Sequence, residues 1–221
     1  MIFLFYIITG KIIAIAIAII YWRYLAGPYR LVAVLTALGL ACEVIGYYVG
    51  SYRHQHNVWL FNLYMPFEPL LLGAAAVGFI KAAKFRKVVV ALLILNFIIW
   101  FCEICRYGLF DFASFAMICG CFLLVIIYIG VLFGEVVFNN KILLKEPLFW
   151  LSLSVILYFA CDIPFMGLSR YWTTFKVYRI RLYNVNQTLN FFRYPLVAVS
   201  FLLAAFQEKE QLKSNLSYVS K

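Results

Sequence analysis

Charged residues are scarce in this chain. Asp, Glu, Lys and Arg make up 13% of its 221 residues, about half the share usual in soluble domains. A soluble fold of this length could not cover the 66% that is hydrophobic, which excludes a soluble enzyme. The same composition excludes a disordered chain. Histidine is scarcer still: His54 and His56 form a lone H-x-H, fewer ligands than a zinc site uses. The six cysteines do not read as the framework of a secreted disulfide domain, because most fall in apolar stretches. Cys102 and Cys105 make a C-x-x-C, yet no second pair or histidine cluster completes a metal site. Phosphate-loop, H-E-x-x-H and G-x-S-x-G patterns are missing. No metal and no cofactor is expected, and catalysis has little support.

What the chain has is long apolar runs. Seven appear: about Ile2 to Trp22, Leu31 to Gly50, Val58 to Ile80 and Val88 to Phe101 or a little beyond. Phe112 to Gly134, Pro147 to Leu168 and Asn186 to Phe206 complete the set. A helix needs about 20 residues to cross the hydrocarbon core. The runs are continuous, not the short alternating segments of a β-barrel. The expected fold is all-α: a polytopic membrane protein, a bundle of seven transmembrane helices. Residues 1–206 would form one membrane domain and 207–221 a short cytoplasmic tail. The first run is not expected to be a cleaved leader, since no basic residue precedes it and Lys11 interrupts it.

Basic residues in the connections set the expected orientation. Arg23, Arg30, Lys81, Lys84, Arg86, Lys87, Lys141, Lys145, Lys209, Lys213 and Lys221 fall on one side. Arg53, Arg106, Arg170, Lys176, Arg179 and Arg181 fall on the other. This bias puts the N-terminus outside and the C-terminus in the cytoplasm, in the plasma (cytoplasmic) membrane. The net charge of +10 reads as cations at anionic lipid rather than nucleic-acid binding. The layout is similar to receptor and rhodopsin topologies. The likeness covers topology alone, and the last run lacks the lysine that retinal attachment would need.

Five ionisable residues fall well inside the runs: Lys11, Glu43, Glu68, Asp162 and Arg193. Glu103 is nearer a run's end. At about 1.5 Å per residue the five come out about 9 to 15 Å deep, all in the same half of the membrane. Such charges face the bundle interior, where they pair or serve function. Asn190 belongs with them, because Asn186, Asn190 and Arg193 share one helix face. Asn62, Tyr47 and Tyr48 extend the polar zone. Three of the charges stand beside prolines, in Pro66-Phe67-Glu68-Pro69, Asp162-Ile163-Pro164 and Arg193-Tyr194-Pro195. Each proline removes a backbone donor, so the third run should kink or unwind around Glu68.

The stretch Ser169 to Val185 mixes cations with aromatic rings and reads as an interfacial loop. These residues together predict an outer-half polar pocket for a small anionic or polar ligand. The protein would be a receptor-like or sensory module acting through a cytoplasmic signalling partner. The alternative is a carrier, in which Glu68 or Asp162 takes a proton and Arg193 holds an anion.

Overall fold

The computed structural model describes the backbone of residues 2–51, 57–167 and 176–219, and side chains over 8–50, 57–164 and 188–214. These residues are helical with short connections, and no strand occurs among them. The helices are α1 (Ile2–Ile20), α2 (Gly27–Ser51), α3 (Val58–Tyr64), α4 (Phe67–Phe79) and α5 (Ala83–Tyr107). α6 (Ser114–Leu132), α7 (Pro147–Gly167) and α8 (Lys176–Val219) follow. Six segments are long and apolar enough to cross a membrane: Gly27–Gly50, Val58–Phe79, Ala83–Tyr107, Ser114–Val137, Pro147–Pro164 and Thr188–Ser214. Ile8–Ile20 is a shorter apolar helix. The protein therefore has the build of a multi-pass membrane protein.

α1, α2, α4, α6, α7 and α8 pack neighbour against neighbour in a closed ring, with α8 returning to α1. α5 leans on α4 and α6 from outside. The sequence of α5 fits that place. Val88, Val90, Leu92, Ile94, Leu95, Phe97, Ile98 and Phe101 are all exposed, so it is apolar on nearly every face, as a helix surrounded by lipid is.

Proline has acted unequally. In the third span the helix is interrupted at Met65 and Pro66, which separates α3 from α4. Pro66 has no N–H for the carbonyl of Asn62 one turn earlier, and the Trp100 indole N–H donates to that oxygen at 3.0 Å instead. Pro164 and Pro195, by contrast, lie within α7 and α8. α8 starts well before the expected boundary at Asn186 and continues through the segment read as a tail, to Val219. Within the stretch read as an interfacial loop, the backbone from Lys176 onward is helical. Residues 169–175, with Arg170 and Trp172, lie outside the described residues, as do Arg53, His54 and His56.

The connection between α5 and α6 is fixed by two polar side chains from the spans. Asn62 is fully buried. Its Nδ2 donates to the carbonyls of Leu109 and Asp111, both at 2.7 Å, and its Oδ1 accepts the Ala113 N–H at 3.2 Å. The residue preceding α6 is Ala113, which has no side-chain acceptor for the helix's first N–H groups. Glu103 supplies it from α5, its Oε1 and Oε2 accepting from Phe115 at 3.2 Å and Ala116 at 2.7 Å. A carboxylate is favoured there because the helix N-terminus is partially positive.

Candidate ligand-binding site

The half of the bundle holding the ends of α2, α5 and α7 and the start of α6 contains a cavity of about 570 Å³. That volume is in the range of small-molecule sites. It extends from the last turn of α2, at Gly50, to Leu124 and Phe159 in the middle of the bundle. Two ion pairs stand in its wall.

The first joins α1 to α2: Lys11 Nζ lies 2.7 Å from Glu43 Oε1. Gly39, one turn before Glu43, makes room for it. A Cβ at Gly39 would stand 2.9 Å from Tyr64 Oη and 3.4 Å from Lys11 Nζ. The second pair joins α8 to α4: Arg193 Nη1 lies 3.0 Å from Glu68 Oε1. The break at Met65 and Pro66 places Glu68 in the first turn of α4, where an acid also meets the helix dipole. The Arg193 Cζ lies 4.5 Å from the ring centre of Tyr158 and 4.9 Å from that of Phe159. Tyr194 lies between the pairs, its ring centre 5.0 Å from Lys11 Nζ and 5.7 Å from Arg193 Cζ. A desolvated cation gains from such ring faces as well as from its carboxylate.

The six residues singled out from the sequence are thus divided. Lys11, Glu43, Glu68, Asn190 and Arg193 line the cavity. Asp162 is buried behind it, where its Oδ2 accepts a long hydrogen bond from Cys121 Sγ at 3.8 Å. Asn186 falls outside the described side chains. Asn62 and Glu103 hold the α5–α6 connection and do not line the cavity. Sequence reasoning missed Asn96 of α5 and the rings of Phe61, Tyr64, Phe112, Tyr158 and Phe159, which do line it. Asn96 carried a signal: a lone amide in a run of Leu, Ile and Phe. The rings carried none, because a chain this rich in Phe and Tyr gives no way to choose among them.

Several wall oxygens are unpaired. Glu43 Oε2, Asn96 Oδ1 and Asn190 Oδ1 are buried and have no hydrogen-bond partner within the protein. Leaving such an acceptor dry costs about 1 to 3 kcal/mol, so a cavity with this wall takes up water or a polar ligand. Beneath the Glu68–Arg193 pair lies a second void of about 10 Å³, bounded by Thr36, Ser154, Val32, Leu72, Leu151 and Val155. It is at the lower limit for a single water molecule. Among the described residues no group of three His, Cys, Asp or Glu side chains is arranged to hold a metal ion.

No protein-family model, curated protein or solved structure matches the chain. The functional reading therefore rests on the geometry of this site.

Proposed function

We propose that the chain is a seven-span membrane protein that binds a small polar or anionic solute in its cavity half. It acts as a receptor-like or accessory module on a cytoplasmic signalling partner. The observation behind this reading is the contrast along the membrane axis. A cavity of about 570 Å³ with two partly buried ion pairs stops against a packed layer that includes Leu72, Leu124, Leu151, Val155 and Phe201. A carrier has to open such a layer during each cycle. A receptor needs its helices only to shift by a small amount.

In this reading α1 is the seventh span; its 19 residues give about 28 Å, close to the hydrocarbon thickness. The N-terminus is outside, the cavity opens outward and the α8 extension lies in the cytoplasm. One observation favours a carrier instead. The helix break beside Glu68 is of the kind that frames substrate sites in secondary transporters. Glu68 or Asp162 would then take the proton.

The test is thermal stabilisation of the detergent-purified protein by small anions and polar metabolites, with Glu68→Gln and Arg193→Gln beside the wild type. A shift confined to the wild type supports the site. Uptake into proteoliposomes driven by a proton gradient would replace the receptor reading with the carrier. No ligand shift, together with two variants that melt far below wild type, would leave the ion pairs as packing elements and sink both readings.

A further inference from the structure

Buried oxygens without partners stand in the cavity wall, and they bear on which ligand it takes. This inference rests on the binding reading above and makes it narrower. Both cations in the wall are already matched: Lys11 by Glu43 and Arg193 by Glu68. An anion that drew either cation away from its carboxylate would leave that carboxylate partly buried without its partner, a costly exchange. The fully buried side-chain atoms of the wall that lack a partner are oxygens. Glu43 Oε2 on α2, Asn96 Oδ1 on α5 and Asn190 Oδ1 on α8 lack partners, and all three residues line the cavity. Asn96 and Asn190 are more than nine-tenths buried. The one unpartnered buried nitrogen among the described side chains, Arg30 Nε, belongs to a residue outside the cavity wall.

The rest of the wall agrees. Phe61, Tyr64, Phe112, Tyr158 and Phe159 line the cavity, and aromatic faces attract cations. The geometry points to a small organic ammonium with an apolar body as the ligand. Its N–H groups would meet the spare oxygens, and its body would lie against the rings.

Three probes with one body separate the alternatives: phenylpropylamine, phenylpropanol and phenylbutyrate, each titrated against the full chain in detergent with the melting temperature as readout. The amine is expected to stabilise most, the alcohol less and the carboxylate not at all. Asn96→Leu and Asn190→Leu should each weaken the amine about tenfold, the effect of one lost hydrogen bond to a charged donor. Their own melting temperatures should hold or rise, since each substitution removes an unpaired acceptor. Gly120→Leu, whose side chain enters the cavity beside Asn96, should abolish the response.

Stabilisation by phenylbutyrate equal to or above that of the amine overturns the ammonium assignment and leaves the cavity as a binding site. So does an amine response that both Asn variants keep in full. An amine response that Gly120→Leu keeps is a detergent effect and overturns the assignment too. No response to any of the three overturns the ammonium assignment, while the binding reading stands or falls with the screen of anions and polar metabolites.

Discussion

Small residues are used in opposite ways in the two halves of the bundle. In the packed half Ala14, Ala18, Ala75, Ala76, Ala204 and Ala205 are buried among Leu, Val and Phe side chains. They let helix backbones approach closely, which matters in lipid because no hydrophobic force draws one apolar helix to another. In the cavity half Gly39, Gly46 and Gly120 line open space. There the missing side chain admits Tyr64 and Lys11 at one position and leaves volume beside Asn96 and Pro69 at another. Several polar groups of the packed half are satisfied by backbone carbonyls, although Ser152 Oγ is not. Tyr128 Oη donates to the Leu72 carbonyl at 3.0 Å and Ser200 Oγ to that of Pro147 at 2.8 Å. Thr36 and Ser154 turn back onto their own helices. In the cavity half single oxygens of Glu43, Asn96 and Asn190 are buried without a partner. One half is closely packed and the other encloses a cavity.

Substitutions can break that contrast or sharpen it. The largest effect is expected from Arg193→Gln, which leaves the partly buried Glu68 without its cation and should lower stability by about 3 kcal/mol in a detergent unfolding titration. Adding Glu68→Gln to it should recover some of the loss, and full additivity of the two would show that the pair does not couple. Next is Phe201→Ala in the packed half. It should cost about 2 to 3 kcal/mol, the cavity contribution of a large-to-small change without the water-transfer contribution. Ligand affinity should stay unchanged; if it falls tenfold, the halves are not separate. Glu103→Ala should cost about 1 to 2 kcal/mol by removing the cap of α6. Hydrogen exchange should quicken at the Phe115 and Ala116 amides while the cavity response persists. The smallest change in stability, within about 1 kcal/mol of wild type, is expected for Gly120→Leu, which fills space rather than creating it.

Much of this was legible in the sequence, for physical reasons. Apolar run length gives spans because lipid cannot satisfy an open backbone, and the runs from Val58 and Pro147 start at the residues where helices begin. An intramembrane charge is so costly that its presence alone marks the interior, which is why Lys11, Glu43, Glu68 and Arg193 could be grouped. What periodicity could not give was partnership. Asn62 and Glu68 share one span, yet Asn62 turns to the Leu109–Ala113 connection and Glu68 to Arg193. That choice depends on which helices are neighbours in the ring. Nor could the prolines be ranked: Pro66 interrupts a helix because Trp100 stands ready to take the freed carbonyl, a contact between residues far apart in the chain. The ends of α8 were missed because polar residues such as Gln207, Glu208 and Lys209 end an apolar run without ending a helix.

The length of α8 has a mechanical consequence. Its 44 residues make a rod of about 66 Å, roughly twice the hydrocarbon thickness. Arg193 and Asn190 stand in the cavity wall, and the same helix ends at Val219, about 39 Å further along its axis. A tilt of about 5° about Arg193 would swing that end sideways by about 3 Å, given the same helical rise. On the proposed binding reading, a sub-ångström adjustment around a molecule in the cavity would be magnified by leverage at the far end of this helix.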